Sequence, residues 1–196
     1  VNQAVTVASN TTNTSNICEG TTKALVGNSP SVGSPSWTKV SGSGSIVGTT
    51  YSTGDISSNE SVTIRYTIQN SACVSNDDIS FNVNADSEAS AGDAMSAICQ
   101  SATSAAMAGS VGGGATGGTW SGGAGSWTNA TDVANATYTA GASESGSITL
   151  TLTTSGGSCG STTDTKNITV NENPTASAGG ALSAICQSAT SAAMGG

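Results

Sequence analysis

Five cysteines, Cys18, Cys73, Cys99, Cys159 and Cys186, carry most of the chemistry this sequence could do. A thiol can bridge to another thiol, hold a metal or attack a substrate, and its company decides which. The sequence has no histidine and only one arginine, Arg65. The commonest general base and metal ligand is therefore missing, and the usual anion clamp nearly so. No two cysteines are spaced C-x-x-C, which argues against zinc. Many serines are present, but no His and no Lys-bearing motif activates one as a nucleophile. What remains is oxidation in pairs, which implies an oxidising, extracellular setting. Neither a metal, a cofactor nor catalysis is expected.

Other motifs carry less. "GGGATG" (Gly112–Gly117) satisfies G-x-G-x-x-G, and Asp132 follows about twenty residues on. A dinucleotide site needs a helix directly after the glycines, and "GTWSGGAGSW" is not one; the stretch reads as a hairpin connection. Asp77, Asp78 and the segment "NADSE" (Asn84–Glu88) offer oxygen ligands of the kind calcium takes. The corresponding "NENPT" (Asn171–Thr175) keeps one carboxylate, so solvated turn acids are the better reading. Six N-x-S/T triplets, at Asn10, Asn13, Asn59, Asn129, Asn135 and Asn167, are what a Ser/Thr-rich chain produces by chance. With 4 Lys+Arg against 12 Asp+Glu the net charge is -8, a surface that repels phosphate backbones and excludes nucleic acid as a partner. No stretch approaches the ~18 apolar residues of a bilayer span, so no membrane insertion is expected.

The elements that position the cysteines come in copies. "ASAGDAMSAICQSATSAAM" (Ala89–Met107) recurs as "ASAGGALSAICQSATSAAM" (Ala176–Met194), a shift of 87 positions from 89 to 176. "SNICEGTTKALVG" (Ser15–Gly27) is a more diverged first copy. Landmarks follow in the same order: Trp37 and Trp120, Tyr51 and Tyr138, "SVTIRYTI" (Ser61–Ile68) and "SITLTLTT" (Ser147–Thr154), Cys73 and Cys159, "ISFNVN" (Ile79–Asn84) and "KNITVN" (Lys166–Asn171). The expected organisation is a repeat over 1–84, a second over 85–171, and the opening of a third over 172–196, as in a segment of a longer tandem array. Twenty-five residues cannot bury enough surface to fold alone.

Within a repeat the strongest signal has period 2. Ile148, Leu150 and Leu152 face one way and Thr149, Thr151 and Thr153 the other; Val62, Ile64, Tyr66 and Ile68 repeat this around Arg65. Ile79, Phe81 and Val83 answer Ile168 and Val170, with Lys166 falling where Ile79 does, its stem snorkelling at a strand end. Further strands are expected at Met95–Ile98, Ser104–Val111, Gly118–Ser121, Ser126–Thr128 and Ala136–Thr139. About seven short strands per repeat and no amphipathic helix give an all-β chain of two-sheet sandwiches. Trp37 and Trp120 are the candidates for the central core side chain. Trp127 reads as half-buried packing, with an exposed stacking surface as the rival.

The repeat also sorts the cysteines. Each complete copy has one near its start and one before its last strand, which predicts Cys18–Cys73 and Cys99–Cys159, each bridge near one pole of its sandwich. The partner of Cys186 would lie beyond the chain end. In the chain-entropy model such a bridge is worth roughly 4 kcal/mol.

The run "ICQSATSAAMAGSVGGGATGGTWSGGAGSW…NATYTAG…GSITLTLTT…C…ITV" resembles the immunoglobulin-like repeats of very large secreted surface proteins of gliding, Bacteroidota-type bacteria. The resemblance covers the whole chain, and repeat two is closest to the pattern. It implies tandem immunoglobulin-like sandwiches, export by the type IX route, and a place on the bacterial cell surface. The implied role is adhesion or gliding, without catalytic residues to carry over. Expected partners are neighbouring repeats of the same chain and, in a surface filament, neighbouring copies. The alternative is a carbohydrate-binding array attached to a secreted polysaccharide-degrading enzyme, for which only Trp127, Tyr51 and Tyr138 could supply stacking aromatics.

Overall fold

A computed structural model describes residues 3–182 and 184–194; of the repeated word, Ser183 lies outside them. The first half of the chain forms β1 (Ile17–Cys18), β2 (Thr22–Ala24), β3 (Ser34–Ser41), β4 (Ser45–Val47), β5 (Thr50–Ser52), β6 (Glu60–Asn70) and β7 (Cys73–Asn84). The second forms β8 (Ser87–Ser90), β9 (Ile98–Cys99), β10 (Ser110–Gly113), β11 (Gly117–Ser121), β12 (Ser126–Thr128), β13 (Thr137–Thr139), β14 (Gly146–Ser155) and β15 (Thr163–Asn171). The described residues contain no helix.

Two immunoglobulin-like sandwiches follow one another. In the first, a sheet ordered β1-β7-β6-β3 faces one ordered β2-β5-β4. In the second, β9-β15-β14-β11 repeats the large sheet, and the opposite side is made of the pairs β12-β13 and β10-β8. The period-2 stripes become the core. Val62, Ile64, Tyr66 and Ile68 of β6, and Leu150 and Leu152 of β14, are all buried, while the intervening Thr and Arg65 stay nearer solvent. Each sandwich has its own apolar centre: Tyr51, Val62, Ile64 and Phe81 in one, Met107, Trp120, Tyr138 and Leu152 in the other.

The two tryptophans take different places. Trp120 is 1% exposed and its indole donates to the Val133 carbonyl at 2.9 Å. Trp37 is only half-buried, lying against Tyr66 with ring centroids 4.5 Å apart. Register explains the difference: Trp120 stands opposite Leu152, but Trp37 stands opposite the bulky Tyr66. A Cβ at Gly109 would strike the Trp120 ring at 2.7 Å, and one at Gly27 would strike the Tyr66 ring at 2.5 Å. Tyr66 thus fills in the first sandwich the space Trp120 fills in the second, and Trp37 is moved outward.

Several local expectations are corrected. The stretch 104–109 is not a strand; only Ser110–Gly113 pairs, because Ser104, Met107 and Ala108 give their N–H groups to the Tyr138, Ala136 and Ala134 carbonyls in an irregular run. The strand expected at Met95–Ile98 is the shorter β9. "GGGATG" is not a hairpin connection: it carries the chain from β10, paired with β8, across to β11, paired with β14. Lys166 does not snorkel outward. It is buried, with Nζ donating to the carbonyls of Met107 (2.6 Å) and Asp93 (3.1 Å) and lying 5.5 Å from the Trp120 ring centre. Burial lowers its pKa, against the opposing pull of Asp93 and Asp164. Lys23 does likewise in the first sandwich, donating to the Ser15 carbonyl 4.9 Å from the Phe81 ring centre, its pKa also lowered by burial.

Candidate functional site

The site begins with a two-residue strand. Ile17 and Cys18 run parallel to the end of β7, Ile17 opposite Val83 and Cys18 opposite Asn84. Just past Cys18 the chain turns: the Thr21 N–H returns to the Cys18 carbonyl, and Gly20 takes a φ of 71°, a left-handed value natural to glycine. The turn aims Glu19 at the point where the two sandwiches meet. The Glu19 N–H donates to the Asn84 carbonyl at 2.9 Å. One carboxylate oxygen accepts the Ile56 N–H (3.0 Å) and the other the Asp86 N–H (3.2 Å).

The second sandwich meets this pole with the loop between β14 and β15. Cys159 sits in that loop and is bonded to Cys18, with Cα atoms 5.6 Å apart. Its sulfur lies 3.4 Å from the Asn84 carbonyl oxygen; as a disulfide sulfur it has no proton to give, so this is a packing contact. Beside it, the Ser87 hydroxyl donates to the Gly160 carbonyl at 2.8 Å. The expected linker Asn84–Glu88 is largely absorbed: Ala85 is fully buried, its N–H held by Asn59 Oδ1, and β8 begins two residues later. Only Ala85 and Asp86 separate the last strand of one sandwich from the first strand of the next.

The disulfide overturns both predicted pairings. Cys18 is level with Asn84, while Cys73 starts the same 12-residue strand. At ~3.3 Å per residue they are on the order of 35 Å apart, against the ~7 Å a disulfide can span between Cα atoms. Cys99 is level with Asn171 at the end of β15, and Cys159 precedes the start of that strand, so the same objection applies. The cysteines do lie at poles, but the two of one repeat occupy opposite poles. Contact is therefore made between repeats. Among the described residues Cys73, Cys99 and Cys186 are free thiols, Cys99 and Cys186 exposed.

The remaining candidate residues do not gather around this joint. Tyr51 and Tyr138 are fully buried, which removes them as stacking surfaces for a sugar. Trp127 is half-buried, stacked on Trp120 with centroids 5.9 Å apart and an interplanar angle of 17°. Tyr138 donates its hydroxyl to Glu144, whose carboxylate also accepts the N–H groups of Ala124 (2.8 Å) and Gly141 (2.9 Å). Burial pushes the Glu144 carboxyl up, but these bonds outweigh it and its pKa falls below the ordinary value. Asp77 accepts the Asn10 N–H and Asp78 is paired with Arg65, so both acids have structural partners. Among the described residues no three His, Cys, Asp or Glu stand close enough together to hold a metal ion.

No protein-family model matches the chain, and a search of curated proteins found no match. Among solved structures it is similar to the insect immune protein hemolin (12% identity, TM-score 0.47, covering 87% of this chain and 46% of that one). It is also similar to an I-band fragment of titin (13%, 0.43, 84% and 66%) and to the tandem Ig repeats of Dlar (13%, 0.35, 85% and 98%). The chain spans about half the length of the hemolin chain it matches.

Proposed function

We propose that this chain is a tension-bearing spacer of an extracellular array, with repeats at 1–84 and 85–171 and the opening of a third at 172–196. The observation that carries the reading is the covalent joint. A pull applied at the two ends runs through the backbone to Cys18, crosses the sulfur bond to Cys159 and leaves along β15. The 141-residue separation between those cysteines is bypassed, so most of both sandwiches carries no load. A disulfide of this kind persists only in an oxidising compartment, which supports a location outside the cytoplasm. On the sequence resemblance, that location is the surface of a gliding bacterium, and the array holds an adhesive region away from the cell or builds a surface filament.

Single-molecule stretching tests this. The oxidised chain extends only by the residues outside the loop, and adding a reductant releases about 500 Å of further contour at ~3.6 Å per residue. Equal extension with and without reductant would rule out a load-bypassing spacer. A sugar-binding role is left with Trp127 alone of its three aromatics.

A further inference from the structure

Cys99 is exposed and unbonded, yet the backbone around it repeats that around bonded Cys18. Ile98 and Cys99 run parallel to β15 opposite Val170 and Asn171, as Ile17 and Cys18 run opposite Val83 and Asn84. The Gln100 N–H donates to the Asn171 carbonyl at 3.0 Å, as the Glu19 N–H does to Asn84 at 2.9 Å. Gln100 Oε1 accepts the Asn173 N–H at 3.2 Å, as Glu19 Oε2 accepts that of Asp86 at the same distance. The Ala102 N–H closes onto the Cys99 carbonyl as the Thr21 N–H closes onto that of Cys18. Even the left-handed residue recurs: Ser101 has φ 62° where Gly20 has 71°, although a serine is strained there. Three side-chain bonds are not repeated: Pro174 stands where Ser87 bonds Gly160, Ala102 lacks the hydroxyl that Thr21 gives to the Cys18 carbonyl, and Gln100 has no counterpart of the Ile56 N–H held by Glu19.

We infer that Cys99, Gln100 and Asn171 form a second, empty socket of the same kind as the first, and that its occupant is the cysteine-bearing β14–β15 loop of a following repeat. Resting on the spacer reading, this deepens it from one joint to a ladder. The bond joins the first cysteine of each repeat to the second cysteine of the next. Cys73 is then the plug for a preceding repeat, and Cys186, which shows the same turn through the Ala189 N–H and φ 69° at Ser188, is the start of a third socket. Each bond forms as two thiols give up two protons and two electrons to a small disulfide such as oxidised glutathione, itself reduced to two thiols. Successive covalent loops overlap. A pulled array then exposes, per two repeats, only the 27 positions between Cys159 and Cys186, ~95 Å when extended. Two folded sandwiches are on the order of 70 Å long, judging from the 12-residue β7 in one and the 10-residue β14 in the other. Such an array lengthens by about a third and then stops.

The experiment continues the full chain after Gly196 with a second copy of residues 110–171, which completes the third repeat in register. The protein is oxidised with glutathione disulfide and mapped by mass spectrometry without reduction, with iodoacetamide marking free thiols. The expected result is a Cys18–Cys159 bond as before, a new bond from Cys99 to the added copy of Cys159, and Cys99 alkylation falling at least tenfold. Cys99 still alkylated, for whatever reason, or bonded to Cys73 or Cys186, overturns the proposal. A Cys99→Ser version should leave the added cysteine reactive; if it instead bonds Cys186 in its own repeat, the ladder is also refuted. Loss of the Cys18–Cys159 bond in the unextended chain would instead count against the spacer reading itself.

Discussion

Cys18 and Cys159 are 141 residues apart in the sequence and 5.6 Å apart at Cα. The bond between them closes a loop containing most of both sandwiches, so it limits the unfolded freedom of two folding units at once. For a loop of that length the chain-entropy model gives about 5 kcal/mol. Cys159→Ser is expected to turn a single calorimetric unfolding transition into two at lower temperature, each sandwich melting on its own. A variant that still melted in one unshifted step would show that the joint does not depend on sulfur.

Glu19 holds the joint from the other side by accepting two backbone N–H groups. Glutamine performs one of these tasks at position 100, so Glu19→Gln should change stability by less than about 0.5 kcal/mol. Glu19→Ala leaves the Ile56 and Asp86 N–H groups without a partner and should cost about 1–2 kcal/mol in urea unfolding of the oxidised chain. Equal effects of the two substitutions would mean the carboxylate is a bystander.

Acid should loosen the second sandwich. The folded-state pKa of Glu144 is lowered, so its contribution is present above the unfolded carboxylate pKa and is lost as pH falls through the folded one. The first sandwich ties the corresponding hairpin differently, with Glu60 accepting the Ser43 N–H and the Tyr51 hydroxyl donating to the Ser43 carbonyl. Tyr138→Phe removes one of the bonds that hold Glu144 ionised. Its unfolding midpoint should fall at neutral pH, and the stability lost on acidification should shrink. An unaltered pH profile in Tyr138→Phe would sink this account.

Trp127 separates packing from ligand binding. Its ring stacks on Trp120 and leans on Tyr138, and its indole donates to the Gly122 carbonyl at 3.1 Å. Trp127→Ala should therefore cost about 1–3 kcal/mol, less than a fully buried tryptophan would, while retention on insoluble polysaccharide stays as it was. Loss of such retention with stability intact would favour the sugar-binding alternative.

The repeat and the sandwich could be read from the residues because both rest on local signals. Ile148, Leu150 and Leu152 alternate with threonines, and period 2 is a property of neighbouring positions. β8 was hidden, since Ser87–Ser90 has no apolar alternation and is a strand only because β10 lies beside it. The disulfide was hidden for a stronger reason. Pairing the cysteines within a repeat assumed that the two halves of a repeat meet at one pole. The parallel register that sends Cys18 to the far end of β7 rests on two residues, too few to leave a pattern. Apolar alternation in the residues covers only Ile79, Phe81 and Val83, so the reach of β7 back to Cys73, which puts Cys73 and Asn84 at opposite ends, left no pattern either. Trp37 was misplaced because Tyr66, its partner across the sheet, competes for the same space.

The cations give one more consequence. All four lie inside paired strands: Lys23 in β2, Lys39 in β3, Arg65 in β6 and Lys166 in β15. A protease that cuts after lysine or arginine needs an extended, unpaired stretch around its target bond, and of these four only Lys39, exposed beside the bulge in edge strand β3, comes near to offering one in the folded state. Digestion by such an enzyme would report strands leaving their sheets, beginning with the edge strand that carries Lys39.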